Sequence, residues 1–166
     1  MHLLFLFILT YQVESHIDFL RSLRYNEYTK NFGGTIMLKE KVLHYYLDNG
    51  KCCAESILRA CNDVYGLNIA PEDLILYTGF CGGMASGSVC GCLAASMGVL
   101  SKKYVDREDF RELCSNFVTI FREKLGYDSF NCADLEPRYK TAETRCSAAV
   151  ILASDALEAY ISQLDS

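Results

Sequence analysis

The chain has 166 residues, 51% apolar and 22% charged, with a formal net charge of −5 at pH 7. This is the composition of one globular domain with a full core, and it excludes a disordered chain. No basic patch interleaved with aromatics occurs, which argues against nucleic acid as a partner.

Residues 1–36 differ in character from the remainder of the chain. The opening MHLLFLFILTY is apolar but far shorter than the roughly 20 residues a membrane helix needs. It also lacks the basic flank and small-residue cleavage site of a signal peptide. Residues 1–36 are therefore read as a leader outside the fold, and 37–166 as a cysteine-rich helical domain. Leu38–Leu47 predicts a first helix, stopped by Asn49-Gly50. Cys52–Tyr65 predicts a second, with Ala54, Ile57, Leu58, Cys61 and Tyr65 on one face and Gly66 ending it. Pro71-Glu72-Asp73 opens a short third helix.

Gly79–Leu100 is the organising stretch, with three of the nine cysteines and six of the eleven glycines. Gly79–Gly87 reads as a loop using backbone angles that favour glycine. A central helix is expected over about Ser88–Tyr104, capped by Ser86 or Ser88, with Cys90 in its first turn. Gly91, Ala94, Ala95 and Gly98 form a small face that admits a close neighbour and suggests a homo-oligomer. Asp106 is expected to cap a fifth helix striped by Phe110, Leu113, Cys114, Phe117, Phe121 and Leu125. Tyr127–Arg138 reads as a loop or short helical piece carrying Cys132 and closed by Pro137. A last helix is expected from about Thr141 to Leu164, with Cys146 in its first turns. No segment alternates like a strand. The expected fold is an all-α, single-domain bundle of five to six helices with a Gly-rich loop before a central helix.

An odd cysteine count in a helical chain points to functional or metal-bound thiols in a reducing cytoplasm rather than to a secreted, cross-linked domain. The apolar runs are too short to span a membrane. Cys61 and Cys114 lie on core stripes and read as small hydrophobes. Cys90 and Cys92, at about 100° per residue, point to nearly opposite sides of a regular helix unless its first turn is distorted. Gly82-x-x-x-x-Gly87-Ser88 has the spacing of a P-loop without its lysine, so nucleotide binding is not expected. No heme-attachment or Ser–His–Asp pattern occurs, and His44 reads as a solvated or core-edge residue rather than a ligand.

Four features fall in one order: the Cys-Ala pair in Lys51-Cys52-Cys53-Ala54, Cys90-Gly91 behind the Gly-rich loop, Cys132, and Cys146 in a final Ala-rich helix. The chain from about Leu38 to Ile161 thereby resembles the family of redox-active proteins named for its C-GCAxxG-C-C cysteine pattern. The family's four defining cysteines correspond to Cys53, Cys90, Cys132 and Cys146. The run Cys90-Gly91-Cys92-Leu93-Ala94-Ala95 departs from the pattern, with Cys92 in place of Ala and Ala95 in place of the last Gly. The resemblance implies redox or metal chemistry without naming a reaction.

Cys53 and Cys90 begin helices, where backbone N–H groups favour a thiolate. If the four sulfurs converge, they form two exchangeable thiol pairs or one four-thiolate site suited to zinc or an iron–sulfur cluster. Cys81 and Cys92 are possible extra ligands or resolving thiols, and Cys52 is left open. N–H groups around Gly82, Gly83, Gly87 and Gly91 are candidates for holding a small anion or cluster sulfides. In a thiol mechanism Cys90 is the expected attacker and Cys53 the expected resolver, serving an unknown redox partner.

Gly33-Gly34 can be encoded by a purine run resembling a bacterial ribosome-binding site shortly before in-frame Met37. The intact mass of the native protein is expected to begin at Met37. A mass that includes Met1 overturns the leader reading and favours a membrane-surface anchor.

Overall fold

The computed structural model describes residues 37–126 and 128–166, and the proposed leader lies outside the described residues. Among these the fold is all-α, with seven α-helices and no strand. Helix α1 (Leu38–Leu43) runs directly into a π-type turn, His44–Asp48, and ends before Gly50 in the left-handed conformation. Helix α2 spans Cys53–Tyr65 and closes on left-handed Gly66. Helix α3 (Pro71–Leu74) continues as a 3-10 turn, Ile75–Phe80. Helix α4 is Gly91–Tyr104 and α5 is Phe110–Leu125. Helix α6 is Cys132–Tyr139 and α7 is Ser147–Leu164. None of these is long and apolar enough to cross a membrane.

The predicted order of elements holds, and the differences are at helix starts. The seventh helix is α6, a segment whose sequence reads as a loop or short helical piece because Pro137 lies inside it. An interior proline removes one helix hydrogen bond, and the helix stops two residues later. Asp109, not Asp106, precedes α5. The Arg107 guanidinium grips the Asp109 carboxylate with two hydrogen bonds of 2.8 and 2.7 Å, and residues 104–110 stay in tight turns. Helix α7 begins at Ser147 rather than Thr141. Thr141–Cys146 instead folds back on itself, with the Thr141 N–H donating to the Arg145 carbonyl at 3.0 Å and Arg145 in the left-handed region.

Helix α4 is central, packing against α2, α5, α7 and the 3-10 turn. Helices α1 and α5 both pack on α7. The predicted apolar stripes are the core: Ile57 and Leu58 of α2, Phe117 and Phe121 of α5, Val150 and Leu157 of α7 are all sealed from solvent. Phe117 lies 5.6 Å, centroid to centroid, from Tyr160. The small face of α4 is occupied from within the chain. A Cβ at Gly91 would stand 2.9 Å from both the Cys53 sulfur and the Phe80 carbonyl oxygen, and one at Gly98 would strike the Tyr77 ring.

These two glycines predict opposite outcomes. Gly91→Ala meets a backbone carbonyl and a fixed sulfur, so it is expected to cost about 1–3 kcal/mol as an overpacked site. Gly98→Ala meets only the end of a movable side chain, and a helix-propensity gain of about 1 kcal/mol offsets the contact. Denaturant unfolding under fixed thiol conditions checks both; equal effects would mean that the Gly91 contact is not rigid.

Candidate functional site

All four family cysteines stand at helix N-termini. Cys53 is the first residue of α2 and Cys132 the first of α6, while Cys90 and Cys146 are the residues just before α4 and α7. An isolated antiparallel bridge pairs Val89 with Asn131. It carries two backbone hydrogen bonds, Cys90 N–H to the Phe130 carbonyl at 2.9 Å and Cys132 N–H to the Ser88 carbonyl at 2.7 Å. Those bonds set the starts of α4 and α6 side by side. A second clamp fixes Cys146. Its N–H donates to the Tyr46 hydroxyl at 3.0 Å. The neighbouring Arg145 guanidinium lies 3.8 Å over the Tyr46 ring and donates to the carbonyls of Tyr46 and Lys51, just before α2.

The sulfurs are close enough to act on one another electrically. A thiolate at Cys53 or Cys90 raises the pKa of both Cys132 and Cys146. Burial is the larger influence there, and these two thiols are pushed up to about 12 and about 11. They are neutral near pH 7. Cys53 goes the other way, lowered to about 7. Its sulfur accepts a hydrogen bond from the Cys92 thiol first of all, and from the N–H groups of Gly82, Ala54 and Cys53 itself; together these outweigh burial. Cys90 is also lowered, chiefly by a hydrogen bond from Cys92 and against burial and the charge of Cys53. No hydrogen bond of ordinary geometry caps α4, yet the N–H groups of Cys92 and Leu93 lie near enough to the Cys90 sulfur to favour its anion.

Cys92, a candidate extra ligand or resolving thiol, is the member whose role the sequence left open. Hydrogen bonding of its thiol toward Cys53 and Cys90, together with complete burial, raises its pKa well above the ordinary thiol value. The opposite-sides expectation requires Cys90 to lie inside the helix. Cys90 instead has ψ 131°, an extended backbone one residue ahead of α4, so the 100° rule does not apply between it and Cys92. Ser86 and Ser88 do not cap the helix; they bond to each other at 2.9 Å, and Ser86 bonds to the Gly83 carbonyl.

The Gly-rich loop is a left-handed turn. Gly82, Gly83, Met84 and Ala85 all have φ between 55° and 62°. Left-handed backbone costs about 1–2 kcal/mol at each residue with a side chain, so surrounding contacts must hold Met84 and Ala85 there. Gly82 supplies an N–H to Cys53. At Gly83 a Cβ would lie 2.8 Å from the Cys132 Cβ, and at Gly87 one would lie 2.9 Å from that of Ala133. These glycines, expected to hold an anion or cluster, here bring the turn against the cysteine helices.

Cys52 and Cys81 form a disulfide, with their Cα atoms 6.0 Å apart. The bond engages Cys81, a candidate extra ligand from its position beside the loop. Cys61 and Cys114 pack in or against the core, as expected, and burial raises both thiols. Among the described residues no three Cys, His, Asp or Glu side chains are grouped as a metal site. Two of the four family thiols, Cys132 and Cys146, are raised by burial in the metal-free protein.

The chain belongs to the family described as "Putative redox-active protein (C_GCAxxG_C_C)", whose model matches residues 51–160. That span runs from the residue before the Cys52-Cys53 pair into the last turns of α7. Comparison with curated proteins and with solved structures gave no match.

The shared proton of Cys92 sets the reactivity of Cys53. Cys92→Ala is expected to move the midpoint of Cys53 alkylation from about 7 toward the ordinary thiol value. Below its midpoint the parent rate should fall about tenfold per pH unit, as the thiolate fraction does. Iodoacetamide labelling read by peptide mass across pH 5–9 checks this. An unchanged midpoint would mean that Cys92 only fills space.

Proposed function

We propose that this protein exchanges thiols with disulfides, with Cys53 as the attacking thiolate and Cys90 as the resolving one. The supporting observation is the sulfur trio, in which two anion-favouring thiols share the S–H of a third. The roles expected from sequence are reversed for two reasons. Cys53 is half-buried while Cys90 is only 6% exposed, so an incoming disulfide reaches Cys53 first. An attacking thiol is also most effective when its pKa lies near ambient pH, which Cys53 satisfies at about 7.

The Cys53 thiolate attacks one sulfur of a substrate R–S–S–R′. A Cys53–S–S–R bond forms, and R′–S⁻ leaves with the electron pair. With the charge on Cys53 gone, one influence holding Cys90 protonated disappears, and the Cys92 S–H turns to Cys90 alone. The Cys90 thiolate then attacks the Cys53 sulfur and expels R–S⁻. The protons formerly on Cys53 and Cys90 end on the two leaving thiols. Two electrons have passed to the substrate, and a Cys53–Cys90 disulfide remains for an external dithiol partner to reduce. Cys132 and Cys146 stay neutral and border the trio.

Two variants separate the roles. Cys53→Ser is expected to slow the fastest alkylation at pH 7, because Cys90, the other thiol whose pKa is lowered, is only 6% exposed, and burial raises Cys61, Cys114, Cys132 and Cys146. Cys90→Ser, given a small aromatic disulfide, is expected to release one thiolate and keep the other half as a mixed disulfide, visible by intact mass. Parent protein releases both. A Cys90→Ser variant that releases the second thiolate at the parent rate would transfer resolution to another cysteine.

A further inference from the structure

Cys52 and Cys81 fall outside the four-cysteine pattern, and the exchange above does not use them. Their position is nevertheless specific. Cys52 is the residue immediately before Cys53. Cys81 lies between the two residues that flank the Cys53 sulfur on its other side. The Gly82 N–H bonds to that sulfur. The Phe80 carbonyl and the Cys53 sulfur share one small space, for a Cβ at Gly91 would lie 2.9 Å from each. One covalent bond therefore joins the segment that carries the sulfur to the segment that holds it. The bond closes a loop of 29 residues in sequence separation. Both of its cysteines are half-buried, so a small thiol can reach them.

We infer that the Cys52–Cys81 disulfide is a second redox centre that controls Cys53: closed, it holds the Phe80–Gly82 segment against the Cys53 sulfur; reduced, it releases that segment. Opening takes two equivalents of a small thiol: the cystine bond breaks, Cys52 and Cys81 each leave as a thiol, and the two reductant sulfurs join as a disulfide. Gly82, Gly83, Met84 and Ala85 are then tethered less firmly in the left-handed turn, whose non-glycine members return to ordinary backbone at a gain. Cys53 loses the Gly82 N–H and becomes a weaker nucleophile at neutral pH. Reducing conditions thus turn the site down, and oxidising conditions arm it. The other titratable groups facing Cys53 are Cys90 just before α4, Cys92 from α4, Cys132 from α6, Cys146 before α7, and Tyr46.

This inference rests on Cys53 being the low-pKa thiol, and its test keeps the two apart. The alkylation rate of Cys53 is measured against pH in three samples: parent with Cys52–Cys81 oxidised, parent reduced by a dithiol, and the Cys52→Ser/Cys81→Ser double variant. Circular dichroism follows the helices. The oxidised parent is expected to show a midpoint near 7. In the other two samples the midpoint should rise by about one unit, which lowers the rate at pH 7 about fivefold as the thiolate fraction falls. Identical midpoints in the oxidised and reduced parent would make the disulfide an inert staple and overturn the inference. Should the double variant lose helix, the reduced parent alone decides. A Cys53 midpoint near that of an ordinary thiol in the oxidised parent would overturn the attacking role itself, and the control with it.

Discussion

A single S–H, that of Cys92, faces two sulfurs that both gain from it. A thiol has one proton to donate, so Cys53 and Cys90 cannot both be fully stabilised as anions by Cys92. The competition is settled by the backbone. Cys53 has N–H groups from its own helix start and one from the left-handed turn; Cys90 has two from α4 and stands in the field of Cys53. In the proposed exchange Cys53 ionises first, and its charge raises the pKa of Cys90. When Cys53 is consumed in a mixed disulfide, the restraint on Cys90 ends. The proposed order of the two chemical steps follows from one proton and a difference in N–H supply.

The fold delivers this arrangement by starting helices in one place. Backbone N–H groups at a helix start have no partner within the helix, and each family cysteine sits where such groups are available. The Val89–Asn131 bridge aligns two of these starts, and the Tyr46–Arg145 clamp ties a third to the entrance of α2. Arg145 takes a left-handed backbone conformation at that point, strained for a residue with a side chain. Its three carbonyl hydrogen bonds and its stacking on Tyr46 hold it there. Small residues do the complementary work. Gly91, Gly83 and Gly87 let backbone approach the cysteine helices where any Cβ would collide.

Membership of the redox-active family goes with a site whose four family cysteines differ in acidity. A permanent tetrahedral site needs four thiolates in one shell. Here two sulfurs favour the anion and two resist it. Metal binding displaces thiol protons, so this inequality bears on the proposed exchange, which takes different sulfurs in successive steps.

Helical periodicity, with its Gly and Pro breaks, determined the order of the helices other than α6 and the residues in the core. Ile57, Leu58, Phe117, Phe121, Val150 and Leu157 are buried because apolar stripes at 3.6-residue spacing have one way to leave water. The four cysteines were legible through their order and their nearness to helix starts. Cys92 as the shared donor, Tyr46 and Arg145 as the clamp, and the Cys52–Cys81 pairing were not. Each depends on where a helix begins to within one residue, or on two segments far apart in sequence meeting. Local propensity does not resolve such boundaries. Cys90 shows the consequence: one residue inside α4 it would face away from Cys92, and one residue outside, with an extended ψ, it shares that thiol's proton. Only the packing of α6 against the glycine turn decided which.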